Sequence, residues 1–222
     1  MLNKLRAARR PFPDAAPRPR AYQPVAADMP ADADALLERF RLELEALKAE
    51  LYVVEGDEAA CAQVLDLLAG HRTSHILAWD FEHIPVEGLE AGVRAAGITI
   101  TQPDTHDEYR AETLALAEGA EVGLTGADAA AAATGTLIVT TGPGKGRIPT
   151  VLAPVHLVVI TLDQLLPRLE DWVARQRAAG LDDLRASANV CLITGASRTG
   201  DIEMQLVLGV HGPGILQVVV KR

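Results

Sequence analysis

The sequence predicts a three-layer α/β fold on a mainly parallel, Rossmann-like sheet, and three observations carry that expectation. Four runs rich in Val, Ile and Leu, at residues 136–140, 156–160, 190–194 and 215–220, lack polar alternation. Strands that read this way are usually covered on both faces, as in parallel sheets. Segments with apolar residues at helical spacing lie between several strand-like runs, and 222 residues that are 49% hydrophobic suffice for one sizeable core.

Taken in order, residues 1–27 hold six basic groups against one acid, a charge of +5, so the remainder carries −14 of the net −9. Six of the thirteen prolines fall between Pro11 and Pro30. They remove backbone donors and favour extended chain, which predicts a short helix and basic arm over 1–30 and a domain over 31–222. Leu36, Leu37, Phe40, Leu44, Leu47 and Leu51 then recur at helical spacing behind Asp34, a candidate N-cap. A strand at 51–54, a helix running through Ala60, Val64 and Leu68 to Gly70, and a strand at 75–79 follow.

The alternation continues with a helix at 89–96, a strand at 98–100 and a helix at 110–118. The Ala-rich stretch 129–133 reads as a close-packed helix. Leu165, Leu169, Trp172 and Val173 mark a helix ended by Gly180, between the runs at 156–160 and 190–194; strand, helix, strand predicts a right-handed crossover.

Composition excludes several functions. An acidic body lacks the basic face that a phosphate backbone requires, so no nucleic acid is expected. Cys61 and Cys191 lie far apart in apolar runs, which excludes a Cys-pair zinc ribbon and a four-Cys iron–sulfur site, and no metal or cofactor is expected in this chain. His71 and His75 straddle a loop-to-strand junction, where side chains do not converge as at i and i+4 of a helix. No stretch has the roughly 18 apolar residues of a membrane span and the start lacks a secretory pattern, so a cytoplasmic protein without membrane insertion is expected.

In a parallel sheet ligands bind outside the carboxyl ends of the strands, which directs attention to the loops after Thr140, Ile160 and Thr194. Thr141-Gly142-Pro143-Gly144-Lys145-Gly146-Arg147 combines three glycines with two cations, so Lys145 and Arg147 are candidates to hold an anion; a flexible surface hairpin is the alternative. It is neither a Walker A loop, which needs glycine at Val139 and a hydroxyl at Gly146, nor a dinucleotide fingerprint. Gly195-Ala196-Ser197-Arg198-Thr199-Gly200-Asp201-Ile202-Glu203 follows an apolar run. Ser197, Arg198 and Thr199 could fix a carboxylate or phosphate while Asp201 or Glu203 takes a proton; alternatively Asp201 caps a helix and Arg198 neutralises it. The loop is no nucleophile elbow, because Thr199 stands where the second glycine is needed. Thr134, Gly135 and Thr136 could bring backbone close to a ligand, Asp128 could act at a turn, and His211 sits among glycines that permit close approach. His156, opening an apolar strand, reads as a core-edge residue rather than a ligand.

These blocks carry a resemblance. Residues 123–139, the segment 148–160 containing Leu152-Ala153-Pro154-Val155-His156, and above all Ser197-Arg198-Thr199-Gly200-Asp201-Ile202-Glu203 with Leu206-Val207-Leu208-Gly209-Val210-His211-Gly212-Pro213 resemble the LUD domain, and within it the lactate utilization protein C (LutC/YkgG) group. The resemblance covers residues 35–222, with Gly200 where a small residue such as Ala is common. It implies a fold similar to the NagB/RpiA/CoA-transferase group. It also implies a role in oxidising L-lactate to pyruvate beside two other proteins that carry iron–sulfur ligands, with this chain as the component without a redox centre. On that reading Arg198 anchors a small carboxylate, Ser197 and Thr199 orient it, and Glu203, Asp201 and His211 supply acid or base. The alternative is a stand-alone enzyme on a phosphorylated or CoA-linked substrate, with Lys145 and Arg147 on the phosphate and Glu203 as base or nucleophile. A third reading is an interaction module whose basic arm grips an acidic partner.

Overall fold

The computed structural model describes residues 29–30, 32–103, 110–200 and 206–222; of the expected arm over 1–30, all but Met29 and Pro30 lies outside them. Helix α1 (Ala33–Ala46) starts at an Asp32 side chain that accepts from the Ala35 N–H at 3.0 Å, and it buries Leu36, Leu37, Phe40 and Leu44 along one stripe. Then come β1 (Glu50–Val54), α2 (Gly56–Gly70), β2 (His75–Ala78), α3 (Leu89–Ala95), β3 (Thr99–Thr101), α4 (Arg110–Ala117) and β4 (Val122–Thr125). Further on lie β7 (Val155–Thr161) and, at the C-terminus, β12 (Ile215–Lys221). These six strands form one sheet in the order β1-β12-β7-β4-β2-β3, parallel at every pairing. Helix α2 packs on β1 and β12, with α3 against α2. The fold class predicted from sequence, a mixed α/β architecture on a mainly parallel sheet, stands.

Two of the four apolar runs belong elsewhere. Strands β5 (Ala129–Ala131), β6 (Thr136–Thr140), β8 (Leu165–Leu166) and β9 (Val190–Ile193) make a separate sheet ordered β8-β5-β6-β9, antiparallel at β5/β6 and β6/β9 and parallel at β5/β8. Its alternate side chains go to different cores. Ala130, Leu137, Val139 and Leu165 join the main core with Phe40 and Leu44, while Ala129, Ile138 and Leu166 pack with Trp172 of α5 (Leu169–Ala178). A strand sandwiched in this way is apolar on both faces and has the hydropathy of a parallel strand. The expected crossover from 156–160 to 190–194 therefore does not exist within one sheet. The Ala-rich stretch is strand rather than helix at residues 129–131, because its small side chains let the second sheet sit close between two covers; helix propensity is a weak prior that tertiary packing overrides. The short α6 (Asp182–Ala186) leads into β9.

Strand β4 went unread, since Val122-Gly123-Leu124-Thr125 has the length and glycine of a loop. Its four residues are all buried, and Gly123 is required there because the carbonyl of Pro149 passes over it: a Cβ would stand 1.8 Å from that oxygen. His156 is beside Gly123 in the parallel register and is 1% exposed, inside the core rather than at its edge.

Candidate functional site

The end of α1 gathers several of the residues singled out by sequence. The β5–β6 turn presents Gly135 at φ +62°, packed so closely on α1 that a Cβ would meet Glu43 Cβ at 3.1 Å and Leu47 Cδ1 at 3.2 Å. Gly195, at φ +84° after β9, meets Leu47 Cβ at 3.0 Å by the same measure. These two glycines bring the tips of β6 and β9 together on one helical turn. There, Thr134, Thr136 and Thr194 form a chain of hydroxyl contacts, 2.7 Å and 2.8 Å long. The Arg198 guanidinium donates to the carbonyl of Leu47, an acceptor that the helix end leaves without an intrahelical partner.

From Arg198 the chain forms a two-stranded antiparallel ribbon, β10 (Arg198–Gly200) against β11 (Leu206–Leu208). Its root is stitched by backbone. The Ser197 N–H donates to Pro213 at 2.8 Å, and the Ser197 carbonyl accepts from Gly209 at 3.0 Å. Gly214 and Ile215 both donate to Pro154, which ties the 209–214 connection to the start of β7. Since α1 ends just before β1, and 154 and 209–214 precede β7 and β12, the cluster lies at the amino edge of the parallel sheet.

At the opposite edge, β2 connects onward to β3 on one side while β4 connects to β7 on the other, so strand order reverses between them. Ligand crevices of open α/β sheets form at such switch points. The crevice is filled by the 141–147 loop. Trp79 Nε1 donates to Gly146 at 2.8 Å, Asp80 N–H donates to Gly144 at 2.9 Å, and His83 Nε2 lies 3.2 Å from the Pro143 carbonyl. Lys145 Nζ is 2.5 Å from Asp128 Oδ1, 3.2 Å from Thr140 Oγ1 and 5.5 Å over the Trp79 ring. Asp128 also accepts from the Thr140 N–H at 2.5 Å and its hydroxyl at 2.9 Å. Lys145 therefore pins the loop rather than facing an open anion site. A double-mutant cycle with Lys145→Ala and Asp128→Ala is expected to give a coupling of about 1 to 2 kcal/mol in urea unfolding, because both groups are mostly buried. Additive single-mutant costs would reject this.

The fold thus separates the sequence-derived candidates. Thr134, Gly135, Thr136, Ser197 and Arg198 converge around Leu47, with Thr199 on the ribbon and His211 exposed on the neighbouring connection. Lys145 and Arg147 lie at the other edge, Arg147 exposed before the 3-10 turn Ile148–Thr150. Asp201 and Glu203 lie outside the described residues. Sequence reasoning missed Thr194, whose hydroxyl closes the threonine chain, and also Trp79, Asp80 and His83. The signal for the last three was available: Trp79 closes the strand expected at 75–79, and Asp80 and His83 lie in the loop after it. His71 and His75 are engaged separately, with Gln217 at 2.9 Å and with Thr101 at 2.8 Å, and among the described residues no three metal-ligating side chains meet. The most strongly perturbed titratable group among the described residues is His156. Burial pushes His156 down from 6.5 to about 3, with Nε2 held by Thr125 at 2.9 Å and Nδ1 unpartnered among the described residues.

The cluster at the end of α1 draws on residues 134–136 and 194–198, segments far apart in sequence, and the LUD domain model matches the chain continuously across both, over residues 37–220. The chain belongs to the LUD domain family. This LUD domain is 30% identical over 183 residues to a lactate utilization protein C of Macrococcus caseolyticus, covering 81% of this chain and 75% of the relative. It is 31% identical over 184 residues to one from an Exiguobacterium species, covering 82% and 76%. A crystal structure of a DUF162 family protein from Deinococcus radiodurans shares the fold at a TM-score of 0.62 and 21% identity, over 87% of this chain and all of that one. No helix among the described residues of the LUD domain is long and apolar enough to cross a membrane.

Proposed function

We propose that this LUD domain protein serves L-lactate utilization as a component without its own redox centre, holding a small carboxylate at the ribbon root while iron–sulfur partner subunits take the electrons. The observation that carries this reading is the similarity, over about four-fifths of the chain, to proteins named lactate utilization protein C. Two cysteines, Cys61 on α2 and Cys191 on β9, are too few for a four-thiolate cluster in this chain. Oxidising lactate to pyruvate removes two electrons and two protons, so the electron acceptor has to come from elsewhere.

The local geometry supports Arg198 as the carboxylate anchor. A guanidinium has five N–H donors in a fixed plane, and the bond to Leu47 holds that plane in place while its exposed side leaves donors for a ligand. Ser197 at the ribbon root is assigned to orient the carboxylate, Thr199 falls on the opposite face of the ribbon with Val207, and Glu203, Asp201 and His211 are the groups that hold or move the hydroxyl proton. A phosphate site on Lys145 and Arg147 draws no support from the Asp128 pairing.

A strain lacking this protein is expected not to grow on L-lactate as sole carbon source while growing normally on pyruvate. Wild type restores growth; Arg198→Ala and Glu203→Gln, at matched protein levels, do not. Normal growth of the deletion strain, with no second lactate-oxidising system present, would reject the proposal.

A further inference from the structure

The exposed apolar side chains of this protein are concentrated on one face. Of the eleven large hydrophobic residues that stand exposed among the described residues, nine fall at 151–152, 190–192, 206–210 and 215. The Ser197–Pro213, Ser197–Gly209 and Pro154–Gly214 backbone bonds hold 151–152, 206–210 and 215 next to one another, and β9 (Val190–Ile193) runs from the Thr140 end of its sheet into the ribbon root. Singly scattered hydrophobes need no explanation, but a contiguous set marks an interaction surface.

The ribbon is the extreme case. It is a two-stranded sheet of its own, three residues per strand, a size that is at best marginally stable alone in water. The register puts Leu206 and Leu208 on one face and Val207 on the other, and these side chains are 66%, 40% and 45% exposed. Each face of the ribbon thus exposes apolar surface, the two leucines beside Arg198 on one side and Val207 beside Thr199 on the other, that a partner would cover.

Area argues for what provides that cover: the nine residues expose roughly 700 Å² together, near the ~800 Å² that each partner contributes to a standard interface. Strand β9 is moreover an edge strand of its sheet, and pairing of such an edge with its own copy is antiparallel, the arrangement that a two-fold axis generates.

We propose that this face is the two-fold interface of a homodimer, in which each copy's β10–β11 ribbon is covered by the other. The inference does not rest on the lactate reading, although both use the β10–β11 ribbon: sedimentation reads the one and growth on lactate the other. Sedimentation equilibrium of the full chain, from about 1 to about 100 μM, is expected to show a species of twice the 23.6 kDa chain mass. Leu206→Glu and Leu208→Glu each raise the dimer Kd by about 100-fold or more, since a symmetric interface counts every substitution twice. Leu206→Ser, which removes apolar area without adding charge, raises it by about 10-fold, and Leu116→Glu, on an exposed residue of α4 off this face, leaves it unchanged. Far-UV circular dichroism and the thermal midpoint establish that each variant is folded. A wild-type chain that sediments at the monomer mass throughout overturns the proposal, even if it binds some other protein. Folded ribbon variants that dimerise like wild type, or a Leu116→Glu variant that dissociates as they do, overturn it as well.

Discussion

Gly123→Ala is expected to destabilise the protein by about 3 kcal/mol or more in urea unfolding, although it adds one methyl group. The added carbon would stand 1.8 Å from the Pro149 carbonyl oxygen and 2.8 Å from its carbonyl carbon. Both are backbone, so no side-chain rotamer relieves the clash. Residues 148–150 would have to lift off β4, and that segment is packed on both β4 and β2, with Ile148 against Leu77, Ala117 and Ala120. Gly119→Ala, where a Cβ meets nothing within 4 Å, is the matched control and should change stability by less than ~1 kcal/mol. A Gly123→Ala variant as stable as Gly119→Ala would show that the 148–150 crossing is not seated as described.

The second large effect is on pH dependence. His156 is folded away neutral: burial lowers its pKa from 6.5 to about 3, because no charged partner offsets the loss of water around the imidazolium. The unfolded chain therefore binds a proton that the folded chain refuses, and stability falls as pH drops from 6.5 towards 3. The slope is about 1.4 kcal/mol per pH unit, so the His156 contribution is complete above 6.5 and about 2 kcal/mol smaller at pH 5. Urea unfolding at pH 7.5 and 5.0 measures this directly. His156→Asn removes the titrating group while keeping a polar side chain opposite Thr125, and its stability should change by about 2 kcal/mol less than wild type over that interval. Equal pH dependence in the two proteins would mean that His156 is not the group responsible. The lowered carboxyl pKa values of Glu50, Asp57 and Glu121 work at lower pH, adding stability above their ordinary values of 4.5 for the glutamates and 3.8 for the aspartate that is lost as they protonate.

Local chemistry made much of the fold legible. The stripe Leu36, Leu37, Phe40 and Leu44 gave α1, although the helical spacing ran on to Leu51, which belongs to β1, and the apolar runs gave β7 and β12 almost to the residue. The same reasoning misplaced β6 and β9, because hydropathy reports that a strand is covered on both faces and not what covers it. It misread Ala129-Ala130-Ala131 as helix and missed β4, since alanine and glycine carry little side-chain information and their positions answer to close neighbours, α1 and α5 in one case and Pro149 in the other.

For the candidate site, sequence alone determined which residue types could bind an anion or move a proton, and it joined the chain to the LUD domain through blocks of contiguous residues. Only the tertiary structure decided which of them meet. Arg198 and the Thr134–Thr136–Thr194 chain come together because Gly135 and Gly195 let two distant strand ends close on Leu47. Lys145, equally cationic and equally glycine-flanked, is drawn to Asp128 at the other edge. A side chain's charge is local to its residue; its partner is fixed by strand order, which this sequence encodes through contacts between residues far apart along the chain.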